Sequence, residues 1–207
     1  MKLKRLHYLT GIVIFTFIVV HLINHVFALW GAEKHIAVMH MLRSIYRNLV
    51  MEICLLLAVS IQVVSGVKLW ISKRNAILST FDKLQLWSGM YLAFFFIIHI
   101  SAVLAGRFLL HLDTNFYFGV AGLNTFPINL FFIPYYSLAI ISFFIHLAMV
   151  HAKRMKWNVL HLTPRDQSMA IMVFGVILTI IILYGLTNGF RGVEIPEDYQ
   201  LKIELNQ

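Results

Sequence analysis

Five long apolar stretches, separated by short polar segments, dominate the chain. They cover residues 8–30, 49–71, 86–110, 128–152 and 169–186. Each is close to the roughly 20 residues that an α-helix needs to cross the hydrocarbon core of a bilayer. The pattern predicts an all-α membrane protein whose five transmembrane helices fill residues 1–186, followed by a short polar tail over residues 187–207.

Two segments between or before these stretches need separate interpretation. Residues 116–126 are apolar but contain several Gly and Asn residues, so they are expected to form an interfacial loop. The basic start of the chain, from Met1 to Arg5, is typical of a signal peptide. The apolar run that follows has about 22 residues, too long for the core of a signal peptide, so we expect a retained first helix.

Composition supports the same class of protein. Hydrophobic residues make up 60% of the 207 residues and charged residues 13%, which excludes a disordered chain and an ordinary soluble enzyme. Cys54 is the only cysteine, so neither an internal disulfide nor a cysteine-based metal site can form within the chain.

The net charge of +8 is explained by basic residues that flank membrane helices, not by nucleic-acid binding. Lys and Arg are more frequent in the N-terminal segment and in every second loop after it than in the remaining loops. The positive-inside rule therefore predicts the N-terminus inside and the C-terminus outside.

The first and third apolar stretches match each other when they are shifted by 78 residues. The shift aligns Thr10-Gly11 with Ser88-Gly89, Phe17 with Phe95, and His21 with His99. Similarity among apolar residues is common by chance, but a hydroxyl–glycine pair followed ten residues later by histidine is not. The match predicts an internal repeat, a frequent feature of membrane folds.

The repeat brings two histidines to one depth. His21 and His99 follow the same pair on helices of the same direction, so their imidazoles lie at nearly one level. Ionisable groups at membrane depth point to function, and two facing imidazoles are what bis-histidine haem ligation requires. Ala28, Ala102 and Gly106 on the same faces are expected to leave room for a porphyrin edge. Hydrogen bonding between helices is the alternative role for both histidines.

The other histidines divide by position. His25 lies one turn after His21 and is an alternative ligand. His146 lies inside a predicted span, and His151 lies near the inner end of one. A zinc site is disfavoured, because no third histidine or carboxylate lies at the matching depth. The histidines expected to be solvated at helix ends or in loops are His35, His40, His111 and His161.

Two further polar residues lie in the second predicted helix, with Glu52 at its outer entrance and Gln62 deeper. Glu52 follows Arg43 and Arg47 closely, so an ion pair is one interpretation. The other is a proton acceptor for quinol oxidation, which needs a carboxylate at the water–lipid boundary beside a redox cofactor. The sequence leaves both open.

Taken in order, these motifs resemble the five-helix cytochrome b subunits (b558 type) that anchor succinate dehydrogenase and fumarate reductase. The individual motifs are short, and their order and spacing carry the resemblance over most of the chain. The similar segments are residues 11–33, Glu52-Ile53, Ser88-Gly89 to His99, residues 145–148 and residues 163–167.

The resemblance implies a fold, partners and a cofactor. Family members are bundles of five helices with two stacked b haems, and they anchor a flavoprotein and an iron–sulfur subunit on the inner face. A multi-pass protein of the bacterial cytoplasmic membrane is therefore expected. Glu52 matches a carboxylate that the family uses at its menaquinol site.

The resemblance also assigns ligands, and here the pattern is broken. His21 and His99 match the ligands of the distal haem, near the outer face, and His146 matches one ligand of the proximal haem. Gln62 stands where the family has the other proximal ligand, a histidine four residues before a glycine (here Gly66). Gln is not an ordinary haem ligand, so either one haem is retained or His146 has a different partner.

The expected function is electron transfer between an iron–sulfur partner and membrane quinone through b haem, in a subunit that is an anchor and not itself the catalyst. Without the proximal haem the relay has a gap, so quinone binds on the inner side or the role has changed. The alternatives are a haem-free or stand-alone membrane anchor and a cytochrome b of another dehydrogenase.

Overall fold

The computed structural model describes residues 2–76 and 79–200. Within these ranges the chain forms seven α-helices, with short 3-10 turns at Phe27–Trp30 and Glu197–Tyr199. The helices are α1 (Lys2–Val26), α2 (Ala32–Tyr46), α3 (Leu49–Lys73), α4 (Thr80–Phe108), α5 (Phe116–Asn124), α6 (Asn129–Arg154) and α7 (Pro164–Leu186).

The five long helices confirm the predicted all-α fold. Helices α1, α3, α4, α6 and α7 are each long and apolar enough to cross a membrane. Large apolar side chains on their outward faces remain half-exposed, such as Ile97 (56%) and Ile177 (50%). A contiguous apolar surface of this kind is expected where lipid, not water, surrounds a protein.

Three of the long helices (α1, α4 and α7) begin earlier than the apolar pattern indicates, and polar caps start two of them. Ser79 accepts a hydrogen bond from the backbone N–H of Asp82 at the start of α4. Thr163 and Asp166 bond reciprocally in a capping box at the start of α7, with Pro164 in the first turn. Hydrophobicity marks where a span enters the apolar layer, whereas the caps mark where the helix begins.

The prediction of a loop over residues 116–126 is wrong, because most of this segment is helix α5. Asn115 caps the helix by accepting from the N–H of Tyr117. Phe116, Val120 and Leu123 are buried in the main hydrophobic core, so packing outweighs the poor helix propensity of Gly and Asn. Helix α2, within the segment between the first two spans, was also not predicted.

The five long helices form a closed ring in the order α1, α3, α4, α6, α7, with α7 packed against both α6 and α1. The ring has two ends. We name the end that carries Lys2 the N-terminal end, and the opposite end, where α2 and α5 lie, the cap end. Helices α1 and α4 run from the N-terminal end to the cap end, and α3 and α6 run back.

Close helix contacts depend on glycine at two places in α7. A Cβ atom at Gly175 would lie 2.4 Å from Cβ of Phe144 on α6. A Cβ atom at Gly185 would lie 2.9 Å from the backbone nitrogen of Leu29. These approaches are closer than real carbon contacts permit, so any side chain there would push α7 away from its neighbours.

We expect Gly175→Ala to destabilise the bundle, because its methyl group would overlap the rigid base of the Phe144 side chain. Overpacking of this kind costs about 1–3 kcal/mol. Gly119→Ala on α5 is the matched control, since nothing lies within 4 Å of its added Cβ and alanine is the better helix former. Thermal unfolding in detergent should show a lower midpoint for Gly175→Ala and an unchanged or higher one for Gly119→Ala. A midpoint for Gly175→Ala equal to that of the unsubstituted chain would contradict the packing argument.

Candidate functional site

The two histidines that the repeat pairs lie next to each other across the bundle. His21 on α1 and His99 on α4 have ring centroids 6.2 Å apart, with an angle of 66° between the ring planes. They lie on the cap side of the middle of the bundle. The predicted depth match between the two imidazoles is therefore present in the fold.

The repeat also extends to the surroundings of both rings. Phe17 stacks on His21 with centroids 5.7 Å apart, and Phe95 stacks on His99 at 5.0 Å. Each histidine thus packs against a phenylalanine one helical turn earlier, and this contact restricts the orientation of its imidazole ring. The equivalent hydroxyls of Thr10 and Ser88 each lie within hydrogen-bond distance of the carbonyl four residues earlier in their helices, at 3.1 Å and 2.7 Å.

His21 also belongs to a chain of hydrogen-bonding side chains that leads toward the cap. His25 Nε2 lies 3.1 Å from His21 Nε2, and His25 Nδ1 lies 3.3 Å from Nε2 of His35 on α2. Asn24 Nδ2 donates to the same His35 nitrogen at 3.2 Å. The prediction that His35 is solvated is wrong, since the residue is only 3% exposed. Helix α2 folds back over the end of α1 and carries His35 into the bundle.

The electrostatics of His35 follow from this burial. Burial lowers the pKa of His35 to about 4, and the charges of His21 and Arg43 act in the same direction. The ring is therefore neutral near pH 7. Because its Nε2 accepts from Asn24, the ring carries its hydrogen on Nδ1.

Two buried polar atoms beside the histidines lack partners. Within the described residues, neither His35 Nδ1 nor Asn24 Oδ1 has a hydrogen-bond partner. Buried groups of this kind are rare in native structures, and they often mark a place where a ligand or water completes the network.

The donor set at this level fits a two-ligand haem site. Two imidazoles on different helices with ring centroids 6.2 Å apart are residues that would hold the iron of a haem between them. Both residues are only partly exposed between the helices. His25 contacts the His21 nitrogen that would bind iron, so ligation would have to replace that hydrogen bond.

The small residues expected to make room for a porphyrin do not do so. Ala28 is packed against Gly185, and a Cβ atom at Gly106 would overlap the ring of Phe118. Ala102 is exposed on the outer surface of α4. None of these three residues therefore leaves open space beside the histidines.

A second polar cluster lies toward the N-terminal end, between α1 and α3. Thr10 donates to Gln62 Oε1 at 2.6 Å, and Gln62 Nε2 donates to His7 Nε2 at 3.2 Å. His7 Nδ1 then donates to Ser65 Oγ at 2.8 Å. The sequence interpretation did not single out His7. The available signal was its spacing of 14 residues from His21, close to four helical turns, which places both on one face of α1.

His146 lies at a similar level on α6, beside α4. Its Nδ1 donates to the backbone carbonyl of Gln85 at 3.1 Å, and Cε1 of its ring would be 3.1 Å from a Cβ atom at Gly89. The bond to the carbonyl fixes the tautomer, so the Nε2 atom carries the free lone pair. This orientation of imidazole is common in metal-ligating histidines.

At the cap end, Glu52 forms an ion pair with Arg107 of α4. Pairing of Glu52 with Arg43 or Arg47, one of the two interpretations above, is therefore wrong. Arg43 is buried and instead binds Asp113 at 2.7 Å and the carbonyl of Thr114 at 2.6 Å. The ion pair joins α3 to α4. Glu52 and Arg107 are 55 residues apart, so their pairing could not be predicted from proximity in the sequence.

The remaining histidines are peripheral. His40, His111 and His161 are exposed, as expected, and His151 bonds to Gln167 at 2.9 Å. In residues 2–76 and 79–200, no group of three or more His, Cys, Asp or Glu side chains is arranged to hold a metal ion.

No relative of this chain was found among known proteins. The chain matches no protein-family model, and no curated protein or solved structure is significantly similar to it.

Proposed function

We propose that this chain is the membrane-anchor cytochrome b subunit of a succinate:quinone oxidoreductase. In this proposal it binds b haem and connects membrane quinone electronically with an iron–sulfur subunit, which a flavoprotein accompanies. Two observations support the assignment. The order of the motifs resembles this family, and the described residues include five helices that are long and apolar enough to cross a membrane.

One observation carries the haem assignment. His21 and His99 face each other across the bundle with centroids 6.2 Å apart, each stacked on an equivalent phenylalanine. Paired imidazoles from two parallel helices are the donor set of a bis-histidine haem. Haem, when bound, supplies one-electron transfer, while the chain supplies the ligands, the apolar surroundings and the access of quinone.

The chain's own residues suggest how the site would work. The N-terminal end is the inner end in the proposed orientation, since basic residues concentrate there. The cap end is then the outer end, where Glu52 lies between α3 and α4. A quinol bound there would lose protons as it passes electrons on, and in this proposal the Glu52 carboxylate accepts one of them.

A second function is favoured by a different observation. His21, His25, His35 and Asn24 already bond to one another, which is how histidines join helices in a membrane protein without a cofactor. A haem-free anchor of the same dehydrogenase would use the histidines in this way.

Spectroscopy of the chain purified in detergent separates the two functions. We expect the reduced-minus-oxidised difference spectrum to show the sharp bands of a low-spin b-type cytochrome. Absence of these bands from protein produced with an adequate haem supply would reject the cytochrome assignment. Co-purification with a flavoprotein and an iron–sulfur protein, in that case, would support the haem-free anchor.

A further inference from the structure

The repeat relates helix pairs as well as single helices. Helices α1 and α3 pack together in the same way as α4 and α6, which follow later in the chain. A Cβ atom at Gly11 of α1 would meet Gln62 of α3 at 3.4 Å, and one at the equivalent Gly89 of α4 would meet His146 of α6 at 3.1 Å. The pseudo-twofold relation that pairs His21 with His99 therefore pairs Gln62 with His146.

These two pairs lie at different depths. Gly89 and His99 are ten residues apart on α4, so the level of Gln62 and His146 is about 15 Å nearer the N-terminal end than the level of His21 and His99. The bundle thus has two equivalent levels. One has histidine at both equivalent positions, and the other has His146 at one position and Gln62 at the other.

On one side of the second level, His146 is oriented in the way that a metal-ligating histidine would be. Its Nδ1 atom donates to the carbonyl of Gln85, so the ring is oriented and its Nε2 lone pair is free. A backbone carbonyl in this role is a frequent second partner of ligating histidines.

The Gln62 half cannot take the matching role. Its amide oxygen accepts from Thr10, and its amide nitrogen donates to His7, which in turn donates to Ser65. Ser65 completes the network by donating to the backbone carbonyl of Gln62. Every polar group of this network has a partner, so the network joins α1 to α3 by itself and offers no free donor for a metal.

We infer that this chain holds a single haem, at the level of His21 and His99, and that the network of Gln62, His7, Ser65 and Thr10 replaces the second ligand pair. The inference rests on the proposed function. A haem does not fit the second level as a bis-histidine site, because both ring nitrogens of His7, the other histidine near this level, are bonded to Gln62 and Ser65.

A single haem would change the path of electrons through the chain. With one haem at the cap-side level, no second redox centre of this chain lies between that haem and the N-terminal end. Electron exchange with a partner docked at the N-terminal end would then have to occur with quinone bound nearer that end, or across a longer distance.

The haem-to-chain ratio of the purified full-length protein tests the inference. We expect one haem per chain in the unsubstituted protein and in His146→Ala, and no low-spin haem in His99→Ala. Two haems per chain in the unsubstituted protein, or loss of its haem in His146→Ala, would overturn the inference while leaving the cytochrome assignment intact. No haem at all would instead reject the proposed function, and the inference with it.

Gln62→His tests whether a second haem can be gained. An imidazole at position 62 would complete the pair with His146, so the ratio should rise to two haems per chain. The added haem should disappear again in the double variant Gln62→His, His146→Ala. Gln62→Leu is the matched control, because it breaks the network without supplying a ligand and should remain at one haem. A ratio that stays at one in folded Gln62→His, judged by retention of the first haem spectrum, would show that Gln62 is not what excludes the second haem.

Discussion

His99→Ala should abolish the low-spin haem spectrum of the purified chain, and His21→Ala should do the same. In the proposed site each substitution removes one of the two histidines that would hold the haem, and α4 has no other histidine that could replace His99. A haem left with one ligand is released or becomes high-spin, so the loss should be nearly complete. The measurement is the reduced-minus-oxidised spectrum at equal chain concentration, with electron paramagnetic resonance of the oxidised protein.

Two further histidine variants control this experiment. His40→Ala changes an exposed imidazole on α2 and should leave the spectrum unchanged. His25→Ala tests the alternative ligand one turn from His21. If His25 is the true ligand, the spectrum should survive His21→Ala and disappear in His25→Ala. A normal spectrum in both His21→Ala and His99→Ala would reject the bis-histidine site.

The sequence was sufficient to predict the parts of the fold that depend on local pattern. Apolar runs of membrane-spanning length identified all five long helices, because lipid demands continuous hydrophobicity along each one. The approach of His21 to His99 was also predictable, since two parallel helices with the same motif spacing must bring equivalent residues to one depth. Helices α2 and α5 were missed because neither has the length of a span, and the Gly and Asn residues of the apolar α5 segment indicated a loop.

The parts of the site that depend on tertiary folding were not predictable. His35 looked like a solvated residue because it lies between the first two predicted spans, and its burial depends on α2 folding over the end of α1. Glu52 had arginines nearby in sequence, but its partner, Arg107, comes from the far end of α4. The network around Gln62 needed His7, whose position near the chain start gave no hint of a contact with α3.

Glu52→Gln should slow the reduction of haem by quinol about 100-fold or more, the size expected for loss of a positioned proton acceptor. The amide has the shape of the carboxylate and still accepts a hydrogen bond from Arg107, but it cannot take up a proton from quinol. Oxidation of a quinol releases two electrons and two protons, so the electrons cannot leave freely while a proton is retained. Haem content and the haem spectrum should remain normal, because Glu52 is not a ligand.

The rate should be followed by stopped-flow absorbance after mixing oxidised protein with a short-chain quinol, and dithionite reduction serves as the control. Dithionite delivers electrons without needing Glu52 as a proton acceptor, so its rate should be the same in Glu52→Gln and in the unsubstituted protein. A slower dithionite reaction would indicate that the substitution had damaged the haem site.

Arg107→Gln separates proton transfer from the ion pair. This variant breaks the same contact between α3 and α4 but leaves the Glu52 carboxylate in place. If Glu52 accepts a proton, Arg107→Gln should slow quinol-dependent reduction much less than Glu52→Gln does. If the two variants slow it equally, the contribution of Glu52 lies in its ion pair with Arg107, and its assignment as proton acceptor is wrong. The comparison is decisive because both variants lose the ion pair, while only Glu52→Gln loses the group that can hold the proton.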